Sequence, residues 1–149
     1  MQLVISRDLL LQAINLISKA ADKRHNMVIL GNMKLALTDS QLVMVASDLE
    51  LELQATLNLP ESACKQPGEI TVPANKFKDI VKLLPDGLPV SISVGDDNQC
   101  LIVCGSSRFK LSTLPAQDFP LLGEPEQVTP IQLGREDLVD LLDKTHFAM

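Results

Sequence analysis

Three carboxylates at alternate positions are the residues best spaced to hold a metal ion. Asp48, Glu50 and Glu52 would share one face of an extended strand, because side chains alternate along a strand. Carboxylate oxygens on one face are ligands that a divalent cation accepts, and a small hydrolase built on them would lose activity in Asp48→Ala. We interpret the group instead as a solvated acidic edge, the commoner fate of exposed carboxylates.

Other residue types that carry chemistry are scattered along the chain. His25 and His146 have no sequence neighbours that indicate a nucleophile or a triad carboxylate, and no glycine pattern predicts a loop that cradles phosphate. Three cysteines, an odd number without C-x-x-C spacing, are predicted to be reduced packing residues: Cys64, Cys100 and Cys104. The sequence therefore predicts no catalytic residue, no metal and no cofactor.

The elements that must position any site follow from size and composition. A chain of 149 residues with 46% hydrophobic content has the size of one ordinary domain and can bury a core. No apolar run approaches the ~20 residues that cross a bilayer, and the N-terminus lacks the basic start and cleavage site of a signal peptide. These features predict a cytoplasmic protein without membrane contact.

Apolar periodicity shows the same order of elements twice: strand, helix, strand, strand, strand. In the first copy, about 1–60, strands are predicted at 3–5, 33–37, 42–46 and 49–57, and a helix at 7–21. In the second, about 67–115, strands are predicted at 69–72, 90–94, 100–104 and 108–113, and a helix at 75–84. Each copy is expected to form a sheet with one helix across it, and the copies to share a core. The prediction is one α+β domain over 1–122.

A third copy begins near residue 129. A strand-like run at 131–133 precedes a helical pattern through Leu138, Leu141 and Leu142. The segment 121–130 before it has two prolines, a glycine and two glutamates, which is typical of a connection between domains. Residues 123–149 are therefore predicted to be a linker and the opening strand and helix of a second, truncated domain.

Charge is distributed unevenly between helices and strands. The helical windows 7–25 and 75–84 hold seven basic and three acidic residues, so their net charge is +4 and the remainder carries −10. Lysines on the outward faces predict a layer that is positive on its helical side and negative on its strand side, so that the helices would meet DNA. Since the chain has no Trp or Tyr, contact with DNA would be loose and sequence-independent.

Four stretches carry a resemblance to a known family: ILGNMKLAL at 29–37, SDLELEL at 47–53, TVPANKFKDIVKLLP at 71–85 and RFKLSTLPAQDFP at 108–120. They resemble bacterial DNA sliding clamps, the beta subunits of DNA polymerase III. The last two are the most specific, and IQLGREDLVDLLDKTHFAM at 131–149 is similar to the start of the family's second domain. The resemblance implies the DNA-clamp fold: a head-to-tail homodimer closes into a ring, with helices around the hole and sheets at the rim. Such a processivity factor has no active site and holds the polymerase on duplex DNA by topology.

The resemblance also implies roles for particular residues. Arg24, flanked by Lys23 and His25, lies at the loop position that touches duplex DNA in the family, and the basic helical faces add further contacts through Lys19, Lys78 and Lys82. The family's dimer contact maps to Lys76, Arg108 and Leu111, with acidic and apolar partners outside this chain. Ser106 stands where many relatives have a basic residue that joins the ion pairs across the interface, so one ion pair is expected either to be missing or to be replaced through Lys110. The DNA polymerase III catalytic subunit and the clamp loader would bind domains beyond residue 149.

One hypothesis from another class stays open. The net charge of −6 is also compatible with an acidic domain that binds a protein partner and never touches DNA. Substitution of Arg24 and Lys78 would separate the two hypotheses, because only a DNA-binding protein would lose DNA retention.

Overall fold

The computed structural model describes residues 1–21, 27–95, 98–123 and 131–148. Nine strands lie in these ranges: β1 (Gln2–Ser6), β2 (Asn32–Leu37), β3 (Gln41–Ser47), β4 (Glu52–Asn58), β5 (Cys64–Gln66), β6 (Gly68–Pro73), β7 (Pro89–Val94), β8 (Gln99–Cys104) and β9 (Ser107–Ser112). The α-helices there are α1 (Arg7–Ile17), α2 (Ala74–Leu83) and α3 (Arg135–Thr145). The predicted order of elements is confirmed in both copies, and β5 was missed because three residues are too short for a periodic pattern.

Helix α1 forms where apolar residues recur at three- and four-residue steps, and it buries Leu10, Ala13, Ile14 and Ile17. The prediction that the helix continues to residue 21 is wrong. The chain tightens after Ile17 into a 3₁₀ turn at Ser18–Ala20, a common ending for an α-helix.

Helix α2 buries Ala74, Phe77 and Val81. It ends at Leu83 because Leu84 precedes Pro85, and the proline ring pushes the residue before it into an extended conformation. The helix is therefore displaced by one residue from its predicted span of 75–84.

The two copies exchange their first strands. One sheet has the order β5-β1-β7-β8-β9 and the other β4-β3-β2-β6, so β1 pairs with β7 of the second copy and β6 pairs with β2 of the first. The registers place Leu3 opposite Ile92 and Leu35 opposite Ile70. The prediction that each copy forms its own sheet is therefore wrong, because neither sheet is complete without a strand from the other copy.

A single apolar core joins both sheets and both helices. Its fully buried members include Leu3, Ile14, Leu35, Phe77 and Ile102, one from each of β1, α1, β2, α2 and β8. The core thus confirms the expectation that the two copies are buried against each other. The predicted boundary at 122 stays a prediction, since residues 124–130 lie outside the described ranges.

The chain after β9 crosses the opposite face of the second sheet. Leu114 exchanges two backbone hydrogen bonds with Thr71 of β6, with N···O distances of 3.1 and 3.4 Å. Phe119 then packs on Ile29 and Val45 in a second, smaller cluster. This segment therefore ties the end of the first sheet to the outer face of the second.

Residues 131–134 form no strand, so the strand predicted at 131–133 is wrong. Helix α3 follows with Gly134 as N-cap, and it buries none of its residues. Within the described ranges, no helix has the length and apolar character needed to cross a membrane.

Phe77 and Leu83 lie on the same helix, α2, but only Phe77 belongs to the core. Phe77 is 0% exposed and Leu83 is 78% exposed. We expect Phe77→Ala to lower the free energy of unfolding by about 3–5 kcal/mol, because it leaves a cavity at the centre of the core. Leu83→Ala, the control, should change it by no more than about 0.5 kcal/mol. Urea unfolding followed by circular dichroism measures both, and equal effects would contradict this account of the core.

Candidate functional site

Helices α1 and α2 lie side by side in opposite directions. Arg7, at the start of α1, donates hydrogen bonds from Nε to Val81 O (3.3 Å) and from Nη2 to Lys82 O (3.0 Å), both at the end of α2. After the end of α1, Ser18 Oγ accepts a hydrogen bond from Lys78 Nζ at 3.1 Å. The two helices bury their apolar faces in one core, so their outward faces form one surface, called the helical surface below.

The helical surface is positive in an acidic chain. Residues 7–20 and 74–83 contain five basic and two acidic residues, a net charge of +3, which leaves −9 for the rest of the chain. Lys19 and Lys82 are exposed on this surface, and their predicted contact with DNA stays a prediction. Lys78 is half-buried, because α1 packs on its side of α2 and Ser18 holds its ammonium group.

The predicted DNA-binding loop follows the first helix. Arg24, Lys23 and His25 lie outside the described residues. Their roles in DNA binding therefore stay predictions. In the described part of the helical surface, Lys19 and Lys82 are the exposed residues for which DNA contact is predicted.

The acidic group near residue 50 does not lie along one strand. Asp48 Oδ1 accepts hydrogen bonds from the backbone N–H groups of Glu50 (3.0 Å) and Leu51 (2.7 Å), and Leu49 has a φ of 75°. Strand β4 begins only at Glu52, whose carboxylate accepts the N–H of Leu122 at 2.8 Å. The strand predicted from residue 49 is wrong there, since an aspartate that bonds the next backbone amides favours a turn. Among the described residues, no group of three His, Cys, Asp or Glu side chains could hold a metal ion.

Strand β9 is an edge of the first sheet and carries two of the predicted dimer contacts. Arg108 on β9 and Lys76 on α2 are exposed, which fits an interface role. Leu111 is 7% exposed and packs in the main core. Phe109, half-buried on the same side of β9, is the apolar residue better placed at the edge, and the alternation along 108–112 was the sequence signal for it.

Positive charge also occurs on the strand side of the domain. The rows Val4–Ser91–Val103–Arg108 and Gln2–Ser93–Leu101–Lys110 run across the outward face of the first sheet. Neither row contains an acidic residue, and Arg108 and Lys110 are exposed. These two rows therefore do not carry the negative charge that was predicted for the strand side.

The layer beneath the β9 edge is buried. Cys100 of β8 lies opposite Leu111 and is 0% exposed. Burial raises the pKa of its thiol from 9.0 to about 12, because the thiolate would lose its hydration. All three cysteines are free, as predicted.

Residues 1–123 match the family of the DNA polymerase III beta subunit, N-terminal domain. The chain belongs to this family. A curated relative, the beta sliding clamp of Pseudomonas putida, is 40% identical over 149 residues, which is all of this chain and 40% of the relative. The beta sliding clamp of Caulobacter vibrioides is 37% identical over 150 aligned residues. The chain thus spans 40% of the length of these relatives.

Solved structures of the family confirm the DNA-clamp fold. The structure of the DNA polymerase III subunit beta from Pseudomonas aeruginosa superposes with a TM-score of 0.92 and 38% identity, over 100% of this chain and 40% of that one. The Caulobacter crescentus beta subunit gives a TM-score of 0.91 and 36% identity, over 99% and 39%. The resemblance seen in the sequence is therefore confirmed.

The raised pKa of Cys100 should make the free energy of unfolding fall at alkaline pH. Below the ordinary thiol pKa of 9.0, both the folded and the unfolded chain are protonated there, whereas between 9.0 and about 12 only the unfolded chain ionises. The free energy of unfolding should therefore fall as pH rises above 9, by at most about 1.4 kcal/mol per pH unit. Urea unfolding of the wild type and Cys100→Ala, at about pH 8 and about pH 10.5, isolates this contribution. The stability difference between them should shrink at the higher pH, and an unchanged difference would contradict the raised pKa.

Proposed function

We propose that the chain is a domain of a DNA sliding clamp, a ring-shaped homodimer that encircles duplex DNA and tethers the replicative polymerase during chromosome replication. The observation that carries the proposal is the helical surface, where Lys19 and Lys82 are exposed in a chain of net charge −6. Membership of the beta subunit family supports it.

The chemistry of the helical surface suits sequence-independent contact. Lysine ammonium groups attract phosphates of any sequence, and the affinity they supply falls with added salt because counterions are released. Reading base edges would require side chains that enter a groove with matched donors and acceptors. An open surface of lysines that reads no base edges lets DNA pass along it, as a sliding ring requires.

Ring closure requires contacts between protomers. The edge of β9 has backbone groups that no strand of its sheet pairs, and Arg108 and Lys76 are exposed for acidic partners. We assign the homodimer contact to this edge, with Phe109 as its apolar component. Contacts with the DNA polymerase III catalytic subunit and the clamp loader are assigned to the part of the relatives' length that this chain does not span.

The proposed role is mechanical. The domain would perform no reaction and need no cofactor, because a closed ring raises processivity only by preventing the polymerase from leaving DNA. Chromosome replication in bacteria occurs in the cytoplasm, which is where we place the protein.

Topology is the property that distinguishes a clamp from an ordinary DNA-binding protein. The complete natural protein that carries this chain would be loaded by a clamp loader on nicked circular DNA, and its retention measured by gel filtration. We expect it to stay on circles and to leave after the circle is cut once, since a ring slides off free ends.

The uncut circle, kept for the same time, is the control for spontaneous dissociation. Equal retention on circular and linear DNA would contradict encirclement. Absence of DNA association in every form would favour an acidic domain that binds a protein partner.

A further inference from the structure

Arg7 makes several polar contacts where the start of α1 meets the end of α2. Besides its bonds to Val81 O and Lys82 O, its Nη1 lies 2.6 Å from Asp86 Oδ1 and 2.9 Å from Asp8 Oδ1. Its side chain is 15% exposed, whereas those of Asp8 and Asp86 are 59% and 81% exposed. The guanidinium is therefore held on both sides, by carbonyls of α2 and by two carboxylates.

The carbonyls that Arg7 binds belong to the last turn of α2. Val81 O also accepts the backbone N–H of Leu84 at 3.3 Å, but carbonyl groups in the last turn of a helix lack the regular N–H partner four residues on, and the helix dipole makes this end negative. Pro85 prevents the chain from continuing the helix. A cation from the neighbouring helix therefore completes the end of α2 and fixes it in place.

The same contact acts directly on a predicted DNA-contacting residue. Arg7 binds the backbone carbonyl of Lys82, whose side chain is exposed on the helical surface. At the opposite end of the pair, Lys78 is joined to Ser18 by one hydrogen bond on a flexible side chain. The planar fork of Arg7 is the more rigid of the two connections.

We propose that Arg7 is a positioning residue, which fixes the end of α2 against the start of α1 and so holds Lys82 in register with Lys19, without touching phosphate itself. Its charge is offset by Asp8 and Asp86, and little of its side chain reaches solvent. The inference rests on the proposed function, because the helical surface is taken to face duplex DNA.

A salt titration separates positioning from direct phosphate contact. The 149-residue chain would be titrated with a fluorescent duplex oligonucleotide at several low salt concentrations, with variants Arg7→Gln, Lys82→Gln and Lys65→Gln. Lys82→Gln should reduce the slope of log affinity against log salt by about 0.9, the value for one lost phosphate contact. Arg7→Gln should weaken binding about threefold with the slope unchanged, because it loosens Lys82 and removes no contact.

Lys65→Gln is the control for loss of one positive charge. Lys65 is exposed on β5, the edge strand of the first sheet opposite β9, and lies in neither helix, so Lys65→Gln should leave affinity and slope near the wild type. A slope change in Arg7→Gln as large as that in Lys82→Gln would show that Arg7 touches phosphate, and would overturn the inference. Circular dichroism confirms that each variant is folded at the temperature of the titration.

A spectroscopic distance tests the connection without DNA. Spin labels would be attached to the exposed positions of Gln12→Cys on α1 and Asp79→Cys on α2, in a Cys64→Ser background. The distance between the labels reports the separation of the helices. We expect Arg7→Gln to broaden the distance distribution, and Asp86→Asn to broaden it less, because the carbonyl contacts remain.

The salt titration and the distance measurement can each fail without the other. Unchanged affinity and an unchanged distance distribution in Arg7→Gln would overturn the positioning role and leave the proposed function intact. A wild-type chain that binds no duplex at low salt would count against DNA contact by the helical surface, and the distance distribution would then decide alone whether Arg7 fixes the helix pair.

Discussion

The exchange of first strands between the two sheets is the constraint on which the rest of the domain depends. Strand β1 pairs with β7 over five residues, from Gln2 opposite Ser93 to Ser6 opposite Pro89. Strand β6 pairs with β2 over six, from Gly68 opposite Leu37 to Pro73 opposite Asn32. Because each helix directly follows an exchanged strand, both helices start from fixed positions in the partner sheet. Their side-by-side packing, and hence the helical surface, follows from this connectivity.

Polar contacts at the seams keep the exchanged strands in place. Asn32 Nδ2 donates to Thr71 Oγ1 at 2.9 Å, and the Thr71 hydroxyl donates to Leu114 O at 3.1 Å, so one hydroxyl joins β2, β6 and the chain after β9. Asn32 and Thr71 are buried, and a buried hydroxyl without partners would be destabilising. On the helical side, Arg7 plays the matching part between α1 and α2. Asn32 and Thr71 thus fix β6 beside β2 within one sheet, and Arg7 fixes the two helices to each other.

The sequence predicts the elements well because their patterns are local. Apolar spacing in α1 and α2 placed both helices within four residues, and alternation placed β2, β3, β7 and β8 more closely, within one residue at each end. The same reasoning gave the wrong start for β4, because the Asp48 carboxylate hydrogen-bonds the backbone and turns the chain within an alternating run. Strand exchange was missed because alternation shows which face of a strand is buried and not which strand lies beside it.

For the candidate site too, the sequence predicts which face of a single element is outward but not how the elements pack together. A helical wheel identifies Lys19 and Lys82 as outward, but it cannot show that α1 covers one flank of α2, which leaves Lys78 half-buried. Alternation along β9 shows that Leu111 and Phe109 share a face, and only the packed domain shows that Leu111 is the one covered. Arg7 carries no motif, and its role is visible only once the end of α2 lies beside it.

Native-state hydrogen exchange tests most directly the claim that the exchanged strands make one cooperative unit. Amide exchange would be measured for the central strands β3 and β8, one from each sheet, over increasing concentrations of denaturant. Both strands should have the same free energy of opening, equal to that of global unfolding, because neither sheet can open while the other stays intact. Values that differ by more than about 1 kcal/mol would contradict it, since they would mean that the two sheets unfold as separate units.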